Sequence, residues 1–221
     1  MNIFHLLKSA QRSLQQSRIA RNESGIAAME FALIAPLIIG LYLGLAEVAT
    51  VLSVERRVSH SASVAGDLAT QVSSVDETDA EDIVSAVLHV ANLGANGNFI
   101  LRLQSFHRVA NGDVESEGVI IYTIGTHGGL AEYDKDSLSV DLVPVGEGIV
   151  VASVKHAYTP FGFKRIGGDS SGEGFLPDSI DLEEIFLLKP RRSSIVEIGE
   201  PGTHTKITCT GTVDSVSCTT A

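Results

Sequence analysis

The chain has 221 residues, 44% of them hydrophobic, which is enough for one modest core outside any membrane segment and at most a second small subdomain. Lys and Arg number 16 against 27 Asp and Glu, and the charge is unevenly divided: residues 1–25 hold Lys8, Arg12, Arg18 and Arg21 against Glu23 alone, a local balance of +3 that leaves −14 for the remainder. An acidic body with no basic stripe after Arg57 repels phosphate, so nucleic acid is excluded from the expected partners.

After the basic stretch, Phe31 to Ala46 reads FALIAPLIIGLYLGLA, sixteen residues without a charge, and apolar character resumes past Glu47 to Val54. A bilayer core of about 30 Å needs roughly 20 helical residues, so this stretch spans it if Glu30 and Glu47 sit near the two ends. The competing reading, a buried soluble helix, does not explain why a basic flank, a sharp apolar boundary and an acidic remainder occur together. Under the positive-inside rule, residues 1–25 are a cytoplasmic leader, 26–54 the transmembrane helix, 55–72 its outward extension and 73–221 an extracytoplasmic α+β domain. Pro36 removes one amide donor, which predicts a bend or local melting. Gly40 and Gly44 form a small-xxx-small pair that would let a second helix approach closely in lipid.

The boundary itself reads GIAAMEF from Gly25 to Phe31. A carboxylate at mid-membrane costs roughly 2.5 to 3.5 kcal/mol on insertion scales, so Glu30 implies interfacial depth or a cationic partner. Cleavage after Gly25 would make Ile26 the first residue, with a new positive amine, and Glu30 the fifth. The amine of one subunit could then pair with Glu30 of another.

Basic leader, glycine, glutamate five residues on and a retained apolar helix together resemble the class III signal of type IV pilin-like proteins. The stretch ESGIAAMEFALIAPLIIGLYLGLAEVA is more narrowly similar to the TadE-like pseudopilins of tight-adherence (Tad/Flp) pilus systems, with Gly25, Glu30, Phe31, Pro36 and Glu47 as the matching positions. The likeness is strongest over residues 18–72, and VKHAYTPFGF, residues 154–163, adds a second resemblance. It implies cleavage between Gly25 and Ile26 by a prepilin peptidase. It also implies a pilin-like fold, location in a bacterial inner membrane with the head in the periplasm, and a minor role in pilus assembly. Expected partners are pilins, other minor pseudopilins and Tad assembly-platform proteins; no cofactor or metal is expected.

Beyond the membrane, Val51, Val54, Val58, Ala62, Ala65 and Leu68 recur every three or four residues, which predicts that the helix continues to about Gln71. Asp76, Glu77 and Asp79 open a second helix with Ile83, Val84, Val87, Leu88 and Ala91 on one face and Gly94 as its stop. NFILRLQSFHRV, residues 98–109, reads as a strand with Phe99, Leu101, Leu103, Ser105 and His107 on one side. A turn around Asn111-Gly112 returns it through Val119–Ile124, and Ile149–Tyr158 is a third strand. The glycine-rich run from Gly162 to Gly174 is a loop; no P-loop lysine pattern makes it a phosphate cradle. Short β-prone pieces at 195–197, 206–210 and 213–218 end in a terminal hairpin.

Cys209 and Cys218 are the only cysteines. They are too few for a four-ligand zinc site, and outside the cytoplasm they are expected to bond to each other rather than stay free. The seven histidines, at 5, 60, 89, 107, 127, 156 and 204, show no HExxH spacing. His127 could approach Asp134 or Asp136 but has no nucleophile beside it, and the acidic run 76–82 lacks the alternation of a calcium loop. A non-enzymatic protein is therefore expected. The rival readings are an uncleaved membrane-anchored sensor or binding domain, which keeps Met1, and a secreted domain cut after Gly44-Leu45-Ala46.

Overall fold

The computed structural model describes residues 23–92, 98–125, 129–160, 179–200 and 203–220. The glycine-rich run at 162–174, His5, His127 and Gly94 lie outside the described residues. The chain divides into two compact units, Met1–Val48 and Ala49–Ala221, and a single helix, α1 (Glu23–Thr70, 48 residues), contributes to both. The architecture is α+β: a long N-terminal apolar helix and a mainly antiparallel six-stranded sheet.

Within the second unit, the last six turns of α1 bury Val54, Val58, Ala62, Ala65 and Ala69, the three-and-four repeat visible in the sequence. The stripe shifts from valine to alanine toward its end, and Gly66 continues the trend. A Cβ at Gly66 would meet Leu188 at 2.4 Å and Ala152 at 3.3 Å, so the missing side chain sets how closely helix and sheet approach.

After the two-residue strand β1 (Ser74–Val75) comes α2 (Glu77–Ala91). Asp76 caps α2 by accepting from the Asp79 amide at 2.8 Å, while the Asp79 carboxylate reaches back to the Asp76 amide, a reciprocal capping box. The helix ends at Asn92 in the left-handed conformation (φ 45°), two residues before the expected Gly94, because asparagine adopts that region readily. Its face of Ala80, Ile83, Val84, Val87, Leu88 and Ala91 joins the α1 stripe over the sheet.

The remaining strands are β2 (Asn98–Arg108), β3 (Val114–Ile124), β4 (Gly148–Tyr158), β5 (Ile180–Leu188), β6 (Glu197–Ile198), β7 (Lys206–Thr212) and β8 (Ser215–Thr220). The large sheet runs β5-β4-β2-β3-β7-β8; β3 and β7 are parallel and every other neighbour pair is antiparallel. β1 and β6 form a separate parallel pair. Phe99, Leu101, Leu103, Ile120, Tyr122, Val150, Ala152, Val154 and Ile207 face the helices as one buried layer. β4 is buried along almost its whole length because it lies inside the sheet and both its faces are covered.

On the opposite face, the segment between β3 and β4 lies over Phe106, Val114, Ile149 and Val151, adding Leu138 and Val143 to a smaller cluster. Arg108 holds this segment with two donated bonds, to the carbonyls of Val143 (2.7 Å) and Leu138 (2.6 Å), and donates a third to the Gly112 carbonyl (2.5 Å) in its own β2–β3 turn. Gln104 accepts from the Tyr133 amide at 2.9 Å and donates to Glu132.

A bulge interrupts β2 and β3: Ser105 pairs with Gly118 but Phe106 pairs with Ser116. The extra residue, Glu117, meets the His107 ring. Gly118 has φ +145°, and a Cβ there would lie 2.7 Å from the Thr205 carbonyl and 2.8 Å from Ile198, so only glycine fits.

Candidate functional site

The residues singled out at the N-terminal end of α1 occupy consecutive turns of one unbroken helix. Of the bend or local melting expected at Pro36, the melting does not occur: the helix is continuous through it, since the loss of one donor leaves the bonds of neighbouring turns intact. Gly25 and Ile26 lie at its beginning, Glu30 and Phe31 one turn later. From Gly25 the helix is long and apolar enough to cross a membrane, and it fits a single-pass anchor.

The surface of this region is unlike that of a soluble helix. Phe31 is 70% exposed and Leu33 82%, and Met29, Leu37, Ile39, Leu41, Tyr42 and Leu45 are exposed as well. A contiguous apolar surface of this extent has to be covered by lipid or protein. A Cβ placed on Gly25, Gly40 or Gly44 would meet nothing within 4 Å, so the two glycines of the small-xxx-small pair leave room at the helix surface. Glu30 is exposed at the basic edge of the apolar run, and Glu47 is half-buried near its far end.

The acidic run that opens α2 serves the fold. Asp76 and Asp79 cap the helix; Glu81 accepts from the Cys218 amide at 2.9 Å, and Glu77 from the Thr220 amide at 2.8 Å and from its hydroxyl. The Thr220 hydroxyl and then its amide hold the Glu77 carboxyl below the usual glutamate range. Two carboxylates of one helix thus clamp β8, the last strand. The same hairpin is closed by the Cys209–Cys218 disulfide, between residues directly opposite each other in the β7–β8 ladder. Tyr122, buried under this corner, donates to the Gly211 carbonyl at 2.9 Å, and burial raises its hydroxyl above the usual tyrosine value.

The described histidines are dispersed. His89 contacts the Ser85 carbonyl, His156 the Asn98 carbonyl, His204 the Ser116 carbonyl and His107 the Glu117 carboxylate, while His60 is exposed on α1. Among the described residues, no three His, Cys, Asp or Glu side chains are grouped to hold a metal. The sheet domain that follows the apolar helix has its last described hairpin secured by a disulfide and by carboxylate hydrogen bonds.

Two features of the folded domain carry no local signal in the sequence. Nothing beside Arg108 in the chain signals that it bonds two carbonyls of a distant segment, Val143 and Leu138. β5 was missed entirely: Glu183 and Glu184 adjoin, which hides the alternation of an edge strand.

Residues 25–67 match a family model described as TadE-like protein. The matched span opens at Gly25 and ends three residues short of the end of α1. A segment of this kind points to a component associated with pilus machinery and membrane. No curated protein and no solved structure gives a significant match.

Proposed function

We propose that this chain is a minor pseudopilin of a Tad/Flp-type pilus, trimmed by a prepilin peptidase between Gly25 and Ile26 and held in the inner membrane by the remainder of its apolar helix. The observation that carries this reading is a coincidence of positions. The TadE-like span begins at Gly25, the residue at which a basic leader meets the apolar helix, and Glu30 falls five residues later.

In this reading the leader stays cytoplasmic and the sheet domain is exported, which suits a chain whose only two cysteines are bonded to each other. Cleavage gives Ile26 a charged amine. Paired with Glu30 of a neighbouring subunit, that amine offsets the cost of placing a carboxylate at the membrane boundary. Phe31 and the exposed aliphatic residues then pack against pilin or assembly-platform helices, with Gly40 and Gly44 permitting close approach. The protein's work is association, so its readout is assembly rather than turnover.

Glu30→Ala tests the pairing. The variant should insert in the membrane as the parent does but co-purify several-fold less with the pilin of the same system, with fewer pili on the cell. Unchanged piliation and co-purification would remove Glu30 from the account.

A further inference from the structure

β5 ends the large sheet, and among the described residues its ladder partner is β4. Its burial alternates strictly, with Leu182 and Phe186 packed on the helix-covered core, Leu188 beside Gly66 of α1, and the odd-numbered residues exposed. Along the exposed side the order is Asp181, Glu183, Ile185, Leu187, Lys189 and then Arg191: two acids, two aliphatics, two bases. Ile185 is 42% and Leu187 36% exposed, on a strand whose outer edge has no ladder partner among the described residues.

That order is complementary to its own reverse. When two copies of β5 are set antiparallel about a two-fold axis at Phe186, Ile185 falls opposite Leu187 and Glu183 opposite Lys189, while Asp181 and Arg191 approach at the same end. Parallel pairing instead sets like charges side by side. Charged residues on an edge strand ordinarily discourage pairing, but opposite signs at the two ends leave one match favourable: a second copy of this chain, antiparallel. We infer that the β5 edge is a homodimer interface, the head of one subunit pairing strand to strand with the head of another through residues 183–189.

The existing contacts do not prevent it. Lys189 bonds Glu147 at 2.8 Å, Arg191 bonds Asp67 and Asp181 bonds Lys155 at 2.9 Å; with the side chains of Lys189, Arg191 and Asp181 51%, 60% and 53% exposed, these are surface pairs that exchange partners at small cost. Glu183 has no ion-pair partner among the described residues. β5 and its ladder with β4 end at Leu188, and Pro190, which has no amide hydrogen, keeps a new ladder from running past Lys189.

Charge exchange tests the inference on the full chain in detergent micelles, with association followed by sedimentation. Glu183→Lys alone and Lys189→Glu alone each create two like-charge contacts per dimer and should weaken self-association about tenfold. Mixing these two variants in equal amounts, or combining them in one chain, should return association to the parental level, and loss of folding cannot mimic that rescue. A chain that stays monomeric, or one whose association is the same in all variants and so resides in the apolar helices, would overturn the interface.

Discussion

Replacing Arg108 with Met should release the segment between β3 and β4 from the sheet while leaving the helix-covered face in place. The aliphatic stem survives, so the segment loses only the two bonds to Val143 and Leu138, from a charged donor at 2.7 and 2.6 Å, while the third bond lost, to Gly112, lies within the β2–β3 turn. Bonds of this kind contribute about 1.5 to 3 kcal/mol each when buried. Arg108 is half-buried and the freed carbonyls regain water, so a net loss of about 3 kcal/mol is expected for the segment, the low end of the sum of its two bonds. If that loss falls on local opening, amide exchange across the segment should accelerate by roughly two orders of magnitude. Hydrogen exchange read by mass spectrometry on the full chain in detergent separates this segment from β4 and α2. Arg108→Lys, which can reach one carbonyl at a time, should recover part of the protection. Unaltered exchange over 130–147 in Arg108→Met would refute the clamp, and equal acceleration everywhere would show that it supports the whole domain.

Removing the disulfide with Cys209→Ala and Cys218→Ala should lower stability by about 2 to 3 kcal/mol, from a closed loop with a sequence separation of nine; denaturant midpoints of the two proteins would measure it, and equal midpoints would contradict it. Ala62→Leu places extra volume where α1 is wholly buried against the sheet domain and should cost about 1 to 3 kcal/mol by the same assay; a tolerated leucine would mean the helix is looser there than its packing implies. The Glu77 carboxyl is held below the usual value of 4.5, so its contribution is fully present above that value and is lost as pH falls through the lower folded-state value. Exchange at 215–220 should therefore rise on acidification below the ordinary glutamate range, and Glu77→Gln should remove most of that dependence; the same acid profile in both proteins would disconnect Glu77 from β8.

The parts of the molecule written in local periodicity were legible from the sequence. Val54, Val58, Ala62 and Ala65 recur at helical spacing, and α1 runs to Thr70 as that spacing requires. Asp76 and Asp79 announced α2, and Asn111-Gly112 the hairpin between β2 and β3. What was not legible depends on distant chain meeting in space. β7 joins the sheet parallel to β3, a pairing that no short turn encodes, and β1 is a strand only because β6 lies beside it. At the candidate site, Gly25, Glu30 and Phe31 stand out because a charge at an apolar boundary demands explanation within a few residues. Arg108 and Glu81 stand out only after folding, since their partners are Val143, Leu138 and Cys218.

The central claim is decided most directly at the N-terminus. Intact-mass and terminal-peptide spectrometry of the chain taken from its native membrane, with and without the prepilin peptidase, reads where the mature protein begins. The account predicts Ile26 as the first residue when the peptidase is present and an uncut leader when it is absent. Met1 retained in both would contradict it and leave an anchored binding domain, and a start at Glu47 would make the apolar stretch a removed signal.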